Sequence, residues 1–264
     1  MVALTADEVE SGAIDPRKIS EAVQQIREVG FTLLEGAIPQ ERIAVVYDRY
    51  MKMFERMKKD SHDRLQISHG QKHFQIQPDL DDIFGEPFLI ANELALKCMR
   101  PVLGDDLKIA YYNSNIAEPG SNYQKVHRDH AQLFGNETEV PSPPFLLVAN
   151  IMLCDFTEEN GSTEVWPGTH RTVDVANGTQ IDIELEERAK NWPSVRTNAA
   201  AGSIVIRDLR LWHRGTPNSS DQRRAMLSLV YKRNWLRWRA HKSLHASERT
   251  ISSWPAETQR MFAR

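Results

Sequence analysis

The sequence predicts an α+β protein in which helices come first and strands follow. Amphipathic helical patterns fill about residues 1–105, and short runs rich in β-branched and aromatic residues follow over about 106–240. Strands and helices do not alternate as a doubly wound sheet requires. Several strands are apolar on both faces, which indicates a sheet with one face on a filled barrel interior and the other under helices. A length of 264 residues suits a single domain.

Three helices are expected in the first part of the chain. The first begins at Pro16 with Asp15 as its N-cap and stops at Gly30. The second lies within residues 38–59, where apolar residues recur at helical spacing. The third is a single helical segment that follows Pro87.

The strands are expected in four later runs. These runs are "LKIAYYNSNIAEPG", "FLLVANIMLCDF", "GSIVIRD" and "AMLSLVYKRNW". Clusters of Gly, Pro, Asn and Ser separate them and predict the turns.

Composition narrows the possible partners and the location. The net charge of −3 gives no indication of binding to nucleic acid or to an anionic membrane. The most apolar stretch, "FLLVANIMLC", is too short to span a bilayer. The two cysteines, Cys98 and Cys154, do not suggest a disulfide framework, and the N-terminus lacks the pattern of a secretory signal. We therefore expect a cytoplasmic protein that acts on a small molecule, and the oligomeric state stays open.

The stretch "HRD" is a candidate metal site. On a strand, His127 and Asp129 point to one face, while Arg128 and His130 point away. His213, which follows the strand "GSIVIRD", is the best third ligand. Two histidines and one carboxylate leave open positions on the ion, as non-haem Fe(II) requires. The alternative is an exposed polar turn, because H-x-D occurs by chance in many chains.

A buried arginine is expected eleven residues after His213. Arg224 opens a strand and shares a face with Met226 and Ser228, whereas its neighbour Arg223 points the other way. A guanidinium inside a barrel must be paired, and a carboxylate held by two hydrogen bonds would pair it.

Three stretches resemble the phytanoyl-CoA dioxygenase family of Fe(II)- and 2-oxoglutarate-dependent oxygenases. They are "YQKVHRDH", "TEENGSTEVWPGTHR" and "AGSIVIRDLRLWHRGTPNSSDQRRAMLSL". The family pattern is H-x-D, then NG-S/T-x-x-x-PGSH, then a distal histidine with an arginine eleven residues later. "GFTLLEGAIPQERI" resembles the start of the family's fold, so the resemblance covers about residues 20–235.

The resemblance implies both a fold and a reaction. The fold is a double-stranded β-helix, a jelly-roll of the cupin kind, with N-terminal helices packed on one sheet. Fe(II) would be held by His127, Asp129 and His213, and 2-oxoglutarate would chelate the iron and reach Arg224 with its distal carboxylate. With O2, the enzyme would hydroxylate an unactivated C–H bond and release succinate and CO2.

The sequence departs from the family pattern at Gly215. Some members carry a serine there, which helps to hold the 2-oxoglutarate carboxylate, and Thr216 or Ser228 could substitute for it. Related halogenases have a small residue in place of the aspartate, so Asp129 disfavours halogenation. The residues Gln124, Tyr111 and Asn113 are expected to line the cosubstrate pocket, or else to be ordinary buried hydrogen-bonding residues.

Substrate contacts are expected from two loops and from the end of the last strand. The polar stretch 68–80 is interpreted as a loop that closes over the site, or as a solvated connection. A second loop covers 130–144, and a basic run, "RNWLRWRAHK", ends the strand region. The candidate residues are Lys72, His73, Gln75, Gln77, Phe134 and Trp235. Structural roles are expected for His130, His170 and Trp166, and for His73 if it does not touch substrate.

Three outcomes of the chemistry stay open at this point. Hydroxylation is the primary hypothesis. Desaturation, ring formation or epoxidation would use the same ligands, because the pose of the substrate decides among them. A cupin-like metal-binding protein without catalysis is the alternative outside enzymes.

Overall fold

The fold is described from a computed structural model. It covers residues 1–60, 66–67, 70–134, 137–173, 183–237 and 244–262. Parts of the stretches 68–80, 130–144 and 233–242 discussed above therefore lie outside the described residues. Helices and a large, mainly antiparallel sheet confirm the predicted α+β class.

Eight helices occur among the described residues. They are α1 (Ala6–Ser11), α2 (Pro16–Glu28), α3 (Gln40–Lys59), α4 (Pro87–Ile90), α5 (Glu93–Leu103), α6 (Ile183–Ala189), α7 (Glu248–Ser253) and α8 (Ala256–Phe262). The start of α2 is as predicted, because the carboxylate of Asp15 accepts a hydrogen bond from the backbone N–H of Arg17. Gly30 adopts a left-handed conformation just after this helix.

The strands form two sheets. They are β1 (Val2–Ala3), β2 (Phe31–Glu35), β3 (Gln66–Ile67), β4 (His73–Ile76), β5 (Lys108–Ala117), β6 (Leu146–Met152), β7 (Glu164–Val165), β8 (Val195–Arg196), β9 (Ile204–Asp208), β10 (His213–Arg214) and β11 (Arg224–Lys232). The large sheet has the order β1-β2-β9-β6-β11-β5-β4-β3, and the small sheet has the order β10-β7-β8. All pairs are antiparallel except β1 with β2.

The prediction that the first 105 residues are helical was wrong at four strands, β1 to β4, of which β2 and β4 are the longest. The strand β2 pairs with β9, and β4 pairs with β5. The stretch containing β4 was interpreted as a loop because it is polar. It is polar because His73 and Gln75 lie on the face of the sheet opposite to Phe74, which packs on the main core.

The third predicted helix is divided in two. Asn92 ends the first piece and caps the second, since its side chain accepts a hydrogen bond from the N–H of Ala95. A capping side chain inside an apolar run is a local signal that the helical periodicity concealed.

The two faces of the large sheet have different neighbours. On β11, Leu227 and Leu229 point outward and join the main hydrophobic core with α3 and α5. Their neighbours Met226, Ser228 and Val230 point inward. The prediction that these strands are apolar on both faces is confirmed, and the inward face is where the polar exceptions collect. Among the described residues, no helix has both the length and the apolar character that crossing a membrane requires.

Candidate metal centre

Backbone pairing brings the three predicted ligands together. His127 forms an isolated antiparallel bridge with His213, and the two residues exchange N–H···O bonds of 3.0 and 2.9 Å. The N–H of Asp129 donates to the carbonyl of Leu209 at 2.8 Å. His127 and His213, which are 86 positions apart in the chain, are therefore fixed side by side by main-chain hydrogen bonds.

The side chains of these residues converge on one point. A ligand atom from each of His127, Asp129 and His213 lies within 4.8 Å of the other two. The His213 Nε2 atom is 3.6 Å from Asp129 Oδ2, and the two imidazole centroids are 4.2 Å apart. Two imidazole nitrogens and a carboxylate oxygen at this spacing could hold a divalent transition metal on one face.

Backbone carbonyls fix the orientation of both imidazole rings. The Nδ1 atom of His127 lies 2.8 Å from the carbonyl of Lys125, and that of His213 lies 3.0 Å from the carbonyl of Leu211. A carbonyl oxygen accepts only, so the Nδ1 of His127 carries the proton and its Nε2 keeps the lone pair for a metal. At His213 the Nη1 atom of Arg207 also lies 3.2 Å from Nδ1, and the shorter contact with the carbonyl of Leu211 favours the same tautomer. Burial and the charge of Arg207 hold the pKa of His213 well below its usual range, which keeps the imidazole neutral.

The sequence analysis missed Arg207, which contacts the site from β9. Its Nη2 donates to Asp129 Oδ2 at 2.5 Å, and its side chain is 6% exposed. Burial opposes the charge of Asp129, but the guanidinium of Arg207 holds the pKa of that carboxyl below its usual range. The available signal was a pair of charged residues, Arg207 and Asp208, in an otherwise apolar strand.

Arg224 is buried on the inward face of β11, as the strand phase predicted. Its Nε atom is buried and has no hydrogen-bond partner in the part of the chain that the structure describes, and its guanidinium lies 5.0 Å from the ring centroid of Phe156. Burial lowers its pKa to about 10, so the group is charged at neutral pH. Arg223 points outward and forms ion pairs with Glu55 and Glu118. The site thus contains a buried cation that suits an anionic ligand.

The sequence also matches a known family. The family model described as "Phytanoyl-CoA dioxygenase (PhyH)" matches residues 26–226. The chain belongs to the phytanoyl-CoA dioxygenase family. The family predicted from the sequence is therefore confirmed, and the predicted enzyme class, a 2-oxoglutarate-dependent dioxygenase, is the class of this family.

Relatives in sequence and in structure agree with this family. "Dioxygenase af480" of Aspergillus fumigatus is 30% identical over 160 residues, which are 58% of this chain and 46% of that protein. This chain thus matches less than half the length of that relative. The carbocyclase SnoK of nogalamycin biosynthesis, reported as α-ketoglutarate dependent, superposes with a TM-score of 0.65 at 18% identity over 84% of this chain and 85% of SnoK. The epimerase SnoN was solved with Fe³⁺, α-ketoglutarate and nogalamycin RO. It superposes with a TM-score of 0.59 at 18% identity over 83% of this chain and 84% of SnoN.

A band of polar side chains crosses the inward face of the large sheet between the metal ligands and Arg224. Ser228 Oγ accepts hydrogen bonds from the amides of Asn115 and Asn150, at 3.0 and 2.8 Å. Gln75 donates to Asn115 at 3.0 Å. The predicted pocket residues Asn113 and Tyr111 lie on the same face of β5. The sequence analysis missed Asn115 and Asn150.

Hydrogen bonds connect the residues around Gly215, the position at which the sequence departs from the family pattern. The N–H of Gly215 donates to the side-chain oxygen of Gln124 at 2.7 Å. The Thr216 hydroxyl donates to the carbonyl of Ser162 at 2.9 Å and accepts from Arg196. Since the Thr216 hydroxyl is engaged on both sides, Ser228 is the better placed of the two substitutes proposed from the sequence.

The predicted substrate residues lie in different surroundings. The ammonium of Lys72 donates to the carbonyl of Pro119, so the structure does not bring it to the metal ligands. His73 is buried, and its Nε2 lies 2.7 Å from the carbonyl of Asn122. Gln77 lies just beyond β4. Phe134 and Trp235 are 50% and 59% exposed, and their contact with substrate stays a prediction.

Three residues predicted to be structural have the expected contacts. His170 Nε2 lies 3.1 Å from the carbonyl of Arg27, and Trp166 Nε1 donates to the carbonyl of Ala189 at 3.0 Å. His130 Nδ1 lies 2.8 Å from the carbonyl of Ala131. His130 also packs edge-on against Phe145.

Proposed function

We propose that this protein is an Fe(II)- and 2-oxoglutarate-dependent dioxygenase that oxidises an unactivated C–H bond of a small organic molecule. One observation carries the proposal. The triad of His127, Asp129 and His213 converges on one point, and the inward face of β11 carries Arg224, whose buried Nε has no hydrogen-bond partner among the described residues. A metal site with open positions beside a buried cation suits a chelating dicarboxylate.

The proposal includes the architecture around the site. The large sheet and the small sheet form the two walls of a double-stranded β-helix, and the helices cover the outer face of the large sheet. All 264 residues form one catalytic domain of the cytoplasmic enzyme. Contacts between the walls support this arrangement, since Arg207 on the large sheet reaches Asp129 and His213 on the other side.

The protein's own residues hold and orient the reactants. His127, Asp129 and His213 bind the metal, and the carbonyls of Lys125 and Leu211 fix the rotation of the two imidazoles. When bound, iron with 2-oxoglutarate and O2 supplies the oxidising power for the reaction, with succinate and CO2 as co-products. The intact aspartate fits oxygenation rather than halogenation.

The cosubstrate is held at its distal end by Arg224. Its guanidinium would form hydrogen bonds with the distal carboxylate, which would supply the partner that Nε lacks among the described residues. Ser228 contributes a second contact from the polar band, and Gln124, Asn113 and Tyr111 complete the walls. The aromatic ring of Phe156 beneath the guanidinium restricts its movement.

The substrate is a small organic molecule that enters beside Phe134 and Trp235. Hydroxylation is the first proposed outcome, and ring formation, desaturation and epoxidation are the alternatives. The similarity to an epimerase and a carbocyclase keeps oxidative rearrangement open, because the pose of the substrate selects the product.

The deciding experiment is anaerobic titration of the purified protein with Fe(II) and 2-oxoglutarate, followed by visible absorption. We expect a weak metal-to-ligand charge-transfer band in the wild type. Asp129→Ala and His213→Ala should lose the band while keeping the far-UV circular dichroism of the wild type. An intact band in either variant would remove that residue from the metal site.

Turnover separates the enzyme from a metal-binding protein without catalysis. Under air, an oxygenase forms succinate from 2-oxoglutarate in an Fe(II)-dependent manner, and slow formation continues without the true substrate. A protein that gives the charge-transfer band but no succinate with any candidate substrate would favour the non-catalytic alternative.

A further inference from the structure

Two buried arginines, Arg207 and Arg210, lie within residues 204–213, and each contacts a different aspartate. Arg207 reaches across to Asp129, which is 78 residues away in the chain. Arg210 instead pairs with Asp208 on its own segment, at 2.7 and 2.9 Å. Both arginines are at most 5% exposed. The first pair therefore involves a proposed metal ligand, and the second does not.

Arg207 faces the metal ligands and is fixed there. It lies on the inward face of β9 beside Val148 of β6. Its Nη2 is 2.5 Å from Asp129 Oδ2, and its Nη1 is 3.2 Å from His213 Nδ1. Among the described residues, Asp129 is the acidic group with which Arg207 forms an ion pair. A buried guanidinium this close to the ligands adds a full positive charge to the site.

That charge cancels the charge of the carboxylate. Histidines that bind a metal are neutral, so Asp129 supplies the negative charge of the ligand set. With Arg207 included, the protein groups around the ion carry no net charge. Without Arg207 they would carry one negative charge. Arg207 is buried, but the side chain of Asp129 is 38% exposed, so solvent screens part of this difference.

We propose that Arg207 makes the metal site selective for anionic ligands by neutralising Asp129, at some cost in metal affinity. The inference rests on the proposed function and adds a residue to it. A bound divalent ion keeps both of its positive charges for an entering carboxylate, so a chelating dianion binds more tightly. The same guanidinium repels the cation itself, so metal binding is weaker than it would be without Arg207.

The two effects have opposite signs, which makes the inference testable by binding alone. The probes are Co(II) as the metal and oxalate as a simple chelating dianion, both titrated under anaerobic conditions by visible absorption and calorimetry. In Arg207→Met we expect Co(II) to bind at least as tightly as in the wild type. We expect the Kd of oxalate for the Co(II) protein to rise about tenfold, the lower end of the range for groups that contact metal ligands.

Two further variants separate charge from packing. Arg207→Lys keeps the positive charge but replaces the planar guanidinium with an ammonium group. This variant should bind oxalate nearly as the wild type does. Arg210→Met removes the other buried arginine of the same segment and should leave both Kd values unchanged despite a loss of stability. If Arg207→Met does not fold, Arg207→Gln removes the same positive charge and keeps a polar side chain.

Each other outcome overturns the inference. Weaker binding of both Co(II) and oxalate in Arg207→Met would mean that the arginine only holds Asp129 in place. Unchanged binding of both would mean that its charge is not felt at the site. A wild type that does not bind Co(II) at all would refute the proposed function first, and this inference with it.

Discussion

Gly215 and Gln124 hold each other through two hydrogen bonds, one in each direction. The N–H of Gly215 donates to Gln124 Oε1 at 2.7 Å, and the N–H of Gln124 donates to the carbonyl of Gly215 at 2.9 Å. A Cβ at position 215 would lie 2.7 Å from Gln124 Oε1 and 3.0 Å from His73 Cε1. The side chain of Gln124 therefore fills the space that a serine would occupy in other family members.

Gly215→Ser should impair the protein rather than restore the family pattern. The new Cβ forces Gln124 to rotate and to lose its bond to the backbone, which costs about 1 kcal/mol of stability. The displaced amide also disturbs the proposed cosubstrate pocket, so the KM for 2-oxoglutarate should rise. Urea unfolding and steady-state succinate assays measure the two effects. Gly215→Ala is the control, and a lower KM in the serine variant alone would contradict this account.

Arg224→Met should separate binding from stability. Removing a buried cation that lacks a full set of partners relieves its desolvation, so the unfolding free energy without 2-oxoglutarate should stay level or rise. Binding of 2-oxoglutarate should weaken by at least about 2 kcal/mol, because the charge-assisted hydrogen bonds are lost. Calorimetric titration and thermal unfolding measure both quantities.

The outward neighbour of Arg224 is the matched control. Arg223→Met removes ion pairs to the exposed Glu55 and to the buried Glu118, which keeps its ion pair with Lys58. It should leave 2-oxoglutarate binding unchanged. A large loss of binding in Arg223→Met, with none in Arg224→Met, would reverse the assignment of the two residues.

Strand alternation, a local rule, predicts that His127 and Asp129 share a face and that Arg224 points inward, whereas His213 was predicted from its place after a strand and from the family resemblance. His127 and Asp129 are two residues apart, and Arg224 shares a face with Ser228, so the period of two sufficed. Arg207 was not predicted because its partner Asp129 is 78 residues away, and nothing in "IVIRD" identifies which acidic residue the arginine contacts. Long-range pairing of this kind follows from the sheet register, which the sequence pattern does not specify.

The strand β4 was not predicted from the sequence, for a different reason. The hydrophobic pattern locates a strand by its apolar face, and the four residues of "HFQI" carry only two apolar side chains, Phe74 and Ile76, within a polar stretch. Its inward side chains are polar because they join the polar band through Gln75 and Asn115. A strand that lines a polar site therefore resembles a loop in the sequence.

Arg210 should matter for the loop that follows the metal ligands. It bridges Asp208 to Gln132 and Ser142, which lie near the two ends of the stretch 130–144. Arg210→Met leaves Asp208 as an unpaired buried charge, so we expect a loss of about 3–5 kcal/mol in the free energy of unfolding. Proteolysis between residues 132 and 142 should also become faster than in the wild type.

Urea unfolding and limited proteolysis with mapping of the cut sites test this prediction. The comparison variant is Lys190→Met, which breaks an exposed ion pair with Glu187 and should change stability by less than about 0.5 kcal/mol. Equal effects of the two substitutions would show that the Arg210–Asp208 pair does not hold the loop.

His73 should make the protein less stable in mild acid. Burial lowers the pKa of His73 from 6.5 to about 4, so the folded state stays neutral where the unfolded state takes up a proton. Between these two pH values the unfolded state binds more protons, and stability falls as the pH falls, by up to about 1.4 kcal/mol per pH unit. His73→Gln keeps a donor for the carbonyl of Asn122 and has no group that titrates there. The difference in unfolding free energy between the wild type and His73→Gln should therefore shift steadily against the wild type from pH 6.5 to pH 4. A difference that stays constant with pH would mean that His73 takes up its proton equally well in the folded protein.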